Sequence, residues 1–119
     1  MTNMELEKTI RMNLLFSFYG ALLTPKQSQY MSGYYEEDYT LAEIADNSKV
    51  SRQAIYDSIK RAEEALIDYE EKLQLVEEFN NRTNTLKEIK KHIEESYGND
   101  ERLNELINDI VQDSAREGN

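Results

Sequence analysis

One proline, Pro25, and four glycines, at positions 20, 33, 98 and 118, are the only strong helix breakers in 119 residues. Strand-like alternation of β-branched residues is absent, so helix is the one regular structure open to most of the chain. The expected fold class is all-α. Charged residues make up 32% against 39% for the apolar set, a balance that suits helices with one wet face and argues against a sandwich or a buried parallel sheet. The length suits one domain, or one domain with a helical extension.

From about Asn3 to Leu23 the apolar residues Leu6, Ile10, Leu14, Leu15, Phe18, Tyr19 and Leu22 recur at steps of three and four, which predicts a helix with that face in the core. Thr24-Pro25-Lys26-Gln27 then supplies a capping hydroxyl, a proline at the first helical position and a glutamine that reaches back to the cap, so a second helix starts at Pro25. It carries Tyr30, Met31, Tyr34 and Tyr35 and meets its stop at Glu36-Glu37-Asp38, because acids are badly placed at a helix C-terminus. The tyrosines, with Tyr39, read as a packed face; the other reading is a surface on which bases stack.

Thr40-Leu41-Ala42-Glu43 is a further capping box, opening a short helix with Leu41, Ile44 and Ala45 turned inward. A turn follows, then Ser51 as a new N-cap and a helix that begins Arg52-Gln53-Ala54-Ile55-Tyr56-Asp57-Ser58-Ile59-Lys60. This is the grammar of a helix-turn-helix: Ala45 sits where the two helices cross closely, Val50 plugs the turn, and Ile55 and Ile59 pin the second helix. The remaining face displays Arg52, Gln53, Tyr56, Asp57 and Lys60. Arginine and glutamine on the first turn suit guanine and adenine edges, Lys60 or Arg61 suits phosphate, and Ser51 with the amides behind it suits a phosphate at the helix N-terminus. Between Lys49 and Arg61 four basic residues stand against one acid. The plainer reading of the same pattern is an ordinary helical corner with solvated charges.

The blocks Glu7-Lys8-Thr9-Ile10-Arg11-Met12-Asn13-Leu14-Leu15-Phe16-Ser17-Phe18-Tyr19, Leu22 to Gln27, Tyr39 to Ala45 and Val50 to Arg61 resemble the YlxM family of small bacterial proteins. The resemblance covers roughly the first 95 residues, and the first block is not shared by helix-turn-helix proteins in general. The helix-turn-helix is in turn similar to region 4 of sigma factors. The resemblance implies a bacterial DNA-binding regulator of transcription, without enzyme activity, linked to the signal recognition particle GTPase and its receptor. Two positions depart from the family pattern, which has a bulky apolar residue at the place of Ser48 and glycine at the place of Lys49, where the backbone turns left-handed. Either Asn47 or a longer turn absorbs the bend, or the turn is looser.

Beyond Arg61, Ile55, Ile59, Ala62, Leu66, Tyr69, Leu73 and Val76 alternate steps of four and three, the repeat of a coiled-coil seam. A helix from Ser51 to about Phe79 would span roughly 42 Å at 1.5 Å per residue, so something must pack on its distal half. Asn80 to Asn84 reads as a polar break, followed by a stripe of Leu86, Ile89 and Ile93, a turn at Tyr97-Gly98-Asn99-Asp100, a stripe of Leu103, Leu106, Ile107, Ile110 and Val111, and a frayed end over the last eight residues. The expected organisation is a helix-turn-helix domain over 1–79 and a C-terminal helical hairpin over 80–119 that forms part of a homodimer interface. The other reading is a monomer whose hairpin covers the seam.

The formal net charge of −10 disfavours indiscriminate attraction to nucleic acid or an anionic membrane. It is unevenly spread: the first 60 residues carry 6 basic and 8 acidic side chains (net −2), and the rest carry 8 and 16 (net −8). Arg82, Lys87, Lys90 and Lys91 are the local exception, read as a solvated face or as a small phosphate or RNA contact. With no cysteine and one histidine, His92, thiolate chemistry and any cluster needing two histidines are excluded. No catalytic set, phosphate loop, cofactor motif or metal site emerges. Without a long apolar run, or a basic region leading into an apolar one at the N-terminus, the chain is read as cytoplasmic with no membrane insertion. The leading expectation is a sequence-specific binder of double-stranded DNA. The alternative is a protein- or RNA-interaction module of the signal recognition particle pathway on the same scaffold; a sigma-like factor is weaker, since nothing in these residues resembles the separate helical region with which such factors open the promoter and hold the polymerase.

Overall fold

In the computed structural model, which describes residues 2–117 with side chains as far as Asp113, helices are the only regular structure. Helix α1 (Asn3–Tyr19) is opened by Thr2, whose hydroxyl accepts from the Glu5 N–H while the Glu5 carboxylate accepts from the Thr2 N–H. A 3₁₀ turn, Gly20–Leu22, ends it. The Thr24/Gln27 box opens α2 (Pro25–Met31), and the Thr40/Glu43 box opens α3 (Leu41–Ser48). All three are reciprocal capping boxes; those of α2 and α3 made their starts legible in the sequence, whereas the Thr2 box emerges from the structure. Between α2 and α3 the chain makes a π-helical turn, Ser32–Glu36, and leaves it through Asp38 at φ 58.

Helix α4 (Arg52–Leu73) is the spine of the N-terminal unit, which ends at Leu73. Helices α1, α2 and α3 all pack on it. Ile55, Ala62 and Leu66 are fully or almost fully buried there, with Leu15, Tyr19 and Met31 facing them from the same core. The seam expected on this helix is thus covered, from Ile55 to Leu66, by the chain's own first three helices.

The core face of α1 keeps Leu15 and Tyr19 of the expected set and departs from it toward both ends of the stripe. Met12, Leu15 and Tyr19 are buried, whereas Leu6 and Ile10 stay 48% and 59% exposed and Leu22 lies outside. Apolar residues cover so much of this helix that two stripes satisfy a period of 3.6, and the sequence alone does not choose between them. Two carboxylates complete the interior. Glu63 accepts from the Tyr35 hydroxyl at 2.9 Å and pairs with Lys8 at 3.3 Å, and Glu70 accepts from the Tyr19 hydroxyl at 2.5 Å. Burial raises the Tyr35 phenol far above its ordinary range, and the hydrogen bond and negative charge of Glu63 add to it.

The long helix does not run to Phe79. It stops at Leu73, because Gln74 adopts a left-handed conformation (φ 55), and a new helix, α5 (Leu75–Tyr97), starts at once. The polar stretch Asn80–Asn84, expected as a break, is helical throughout: asparagine and threonine are weak helix formers, and cost too little to interrupt a helix whose apolar stripe continues on both sides. The C-terminal unit begins at Gln74 and consists of α5 packed on α6 (Glu101–Glu117) around Leu86, Ile93 and Ile107, with Leu103 and Val111 beside them. Asp100 caps α6 by accepting from the Leu103 N–H at 3.0 Å. The end expected to fray is helical to Glu117, and residues 118 and 119 lie outside the described part.

Candidate nucleic-acid interface

The turn between α3 and α4 is closed by the backbone. Lys49 is left-handed (φ 58, ψ 38), and its N–H and that of Val50 converge on the Ala45 carbonyl, the latter at 3.3 Å. The six-residue bond from Val50 is the Schellman closure of a helix C-terminus. Lys49 therefore takes the glycine conformation itself, and neither Asn47 nor a longer turn absorbs the bend. The Val50 side chain is 39% exposed, so it does not plug the turn as expected. Ala45 and Ile44 are buried in the corner.

Ser51 caps α4. Its Oγ accepts from the Ala54 N–H at 3.0 Å and its carbonyl from the Ile55 N–H at 3.1 Å. Ile55 and Ile59 anchor the helix from inside. With those two fixed, the helical repeat turns two rows outward: Arg52, Tyr56 and Lys60, and beside them Gln53, Asp57 and Arg61. All six are exposed, and Tyr56 retains 49% of its surface. Among the described residues none of Lys49, Arg52, Lys60 and Arg61 is taken up in an ion pair or a side-chain hydrogen bond. One internal contact exists on the face: Gln53 Nε2 donates to Asp57 Oδ1 at 3.0 Å.

Two hollows adjoin these rows. One of about 160 Å³ is lined by Leu41, Arg52, Gln53 and Tyr56. The other, of about 120 Å³, is lined by Tyr56, Lys60 and Glu63 of α4 together with Lys8, Tyr34 and Tyr35. Leu41, Lys8 and Glu63 were not singled out as site residues from the sequence. A signal existed for the charged pair, since Lys8 falls on the Met12, Leu15, Tyr19 side of α1 and Glu63 on the Ile59, Ala62, Leu66 side of α4, where charges are unexpected. The tyrosine stripe divides: Tyr30 is core, Tyr35 is half-buried on Glu63, and Tyr34 and Tyr39 are exposed at 38% and 43%.

No helix among the described residues is long and apolar enough to cross a membrane. In the C-terminal unit, Lys87 and Lys91 are exposed one turn apart on α5 with Lys90 half-buried beside them, and Ile89, Leu106 and Ile110 remain exposed at 41%, 43% and 50%.

The chain has close relatives. The UPF0122 protein of Anoxybacillus flavithermus (strain DSM 21510 / WK1) is 57% identical over 102 residues, covering 86% of this chain and 93% of that protein. Those of Geobacillus sp. (strain WCH70) and Limosilactobacillus reuteri (strain DSM 20016) are each 50% identical over 107 residues, covering 90% of this chain and 97% and 95% of theirs. The family's description names a helix-turn-helix and no reaction. With residues 6–112 matching the family described as "Putative helix-turn-helix protein, YlxM / p13 like", and with a capped helix pair joined by a Schellman turn at its centre, the chain belongs to the UPF0122 family.

Proposed function

We propose that the protein binds double-stranded DNA sequence-selectively, laying the first three turns of α4 in the major groove. The observation that carries this reading is the pairing of a buried inner edge, Ile55 and Ile59, with an outer face whose cations form no ion pair or side-chain hydrogen bond among the described residues. Arg52 and Gln53 supply base-edge contacts, Tyr56 and Asp57 border them, and Lys60 and Arg61 reach phosphates. Ser51 uses one lone pair of its hydroxyl on the cap, and its hydroxyl proton and the first free amides of α4 remain open to a phosphate. The acidic remainder of the chain offers little non-specific attraction, so binding is site-selective and salt-sensitive.

The test is retention on a genomic DNA pool at low salt. Arg52→Ala and Gln53→Ala weaken binding to preferred sites selectively. Lys60→Ala weakens all sites and lowers the salt slope by about 1. If none of the three changes retention, the reading is wrong.

A homodimer fits the same function, since a pair of recognition helices about 34 Å apart reads a palindrome. Its support is the hairpin α5–α6, which leaves Ile89, Leu106 and Ile110 in solvent after filling its own core. Sedimentation of Ile110→Lys against the parent chain tests it, with monomerisation as the expected result.

A second reading, a scaffold for components of the signal recognition particle pathway, is favoured by the same exposed apolar residues. Co-purification with those components that persists in Arg52→Ala and Gln53→Ala would transfer weight to it.

A further inference from the structure

Gln53 and Asp57 stand one helical turn apart on the outer face of α4, joined by the 3.0 Å bond from Gln53 Nε2 to Asp57 Oδ1. An ionised aspartate has acceptors only, so the amide must turn its nitrogen, not its oxygen, toward it. That leaves Gln53 with one free N–H and its Oε1. This donor and acceptor couple is what the N7 and the N6 amino group of adenine require in the major groove. Asp57 forms no ion pair among the described residues, and its Oδ2 is open to accept from a second exocyclic amino group; of the two that face the major groove, adenine N6 and cytosine N4, a carboxylate suits cytosine N4, which has no acceptor beside it on the same base edge. Four residues of helix advance about 6 Å, less than two base steps of about 3.4 Å.

We propose that Gln53 and Asp57 form a two-part reading unit. Asp57 acts as the positioning residue that fixes the Gln53 amide and also accepts from a base, so the preferred sites carry an adenine with a cytosine within two steps of it. The proposal rests on the DNA-binding reading and adds the base class to it. The carboxylate has a second effect. A negative charge on the contact face disfavours close approach of phosphates, so it lowers binding to unselected DNA while raising discrimination.

The test uses the full chain and a randomised duplex library, selected at fixed low salt and sequenced, for the parent, Gln53→Ala, Asp57→Ala and Asp57→Asn. Retention on an unselected duplex is measured alongside. The parent is expected to enrich the adenine and cytosine pair. Asp57→Ala is expected to lose about tenfold in discrimination at the adenine and to abolish the cytosine preference, while unselected duplex is held as well or better. Asp57→Asn keeps an acceptor for the Gln53 amide and is expected to retain the adenine but not the cytosine. A merely structural role for Asp57 would lower all binding and leave the selected sequence unaltered. An unchanged sequence in Asp57→Ala overturns the proposal, as does a parent motif lacking the adenine. A parent that enriches nothing and is retained on no duplex overturns the DNA-binding reading itself, and the proposal with it.

Discussion

Lys49 holds φ 58 and ψ 38 at the centre of the helix-turn-helix, where a side chain is disfavoured and a glycine is not. For an L-residue this conformation costs about 1–2 kcal/mol, through the approach of Cβ to the following carbonyl oxygen. Lys49→Gly removes that cost but loosens the unfolded chain, which returns about 0.5–1 kcal/mol. The Lys49 side chain is exposed and makes no hydrogen bond or ion pair among the described residues, so no contact is lost. The expected net effect is a stabilisation of about 0.5–1 kcal/mol. For a unit of this size that raises the melting temperature by roughly 2–8 °C. The assay is thermal unfolding followed by tyrosine fluorescence. The chain has no tryptophan, and of its 8 tyrosines all but Tyr97 lie in the N-terminal unit, so the signal reports on the unit that contains the turn. Lys49→Ala is the control: it removes the same charge but keeps a Cβ, and should give no gain. A melting temperature for Lys49→Gly equal to or below that of Lys49→Ala would refute the argument, since it would mean the turn stores no left-handed strain.

Tyr35 gives a pH dependence. Its phenol binds a proton more tightly in the folded state than at its ordinary value of 10.0, chiefly through burial and then through Glu63, so the associated stability is present below pH 10.0 and is lost as the pH rises beyond it. Urea midpoints taken from about pH 9 to about pH 11 should fall less steeply in Tyr35→Phe than in the parent. Tyr19→Phe takes a hydrogen bond from the buried Glu70 carboxylate and should cost about 1–3 kcal/mol, while adding Glu70→Leu should cost less than the sum of the two single changes; strict additivity in a double-mutant cycle would contradict the coupling. Leu66→Ala opens a cavity in the fully buried centre of α4 and should lose about 2–5 kcal/mol in urea unfolding, whereas Leu6→Ala on the exposed stripe of α1 should change stability little.

What was legible in the sequence is what short-range chemistry decides. The starts of α2 and α3 rest on side chains that bond to backbone groups three residues away, the Ser51 cap acts over the same distance, and Pro25 presets its own backbone for the first helical position. The outward rows of α4 follow from the helical repeat once Ile55 and Ile59 are taken as the inner edge, so the face Arg52, Gln53, Tyr56, Asp57 and Lys60 could be listed from spacing alone. The family pattern also marked Lys49 as the place where a left-handed residue is needed.

The rest depends on residues far apart in the chain. Nothing local tells which of two apolar stripes on α1 meets α4, and the answer, Met12, Leu15 and Tyr19, is set by what α4 presents to them. Glu63 and Glu70 read as water-facing acids until Tyr35, Lys8 and Tyr19, some 28 to 55 positions away, arrive to bond them. Gln74 carries no breaker signal, yet it ends the long helix, because a left-handed residue costs only about 1–2 kcal/mol and the packing of each unit easily outweighs that. Local chemistry was enough to set the helical class, the capped corner and the residues on its outer face. Tertiary structure decided which faces are core, where the long helix ends and which charges are buried, since long-range packing outweighs the small local preferences that a sequence displays.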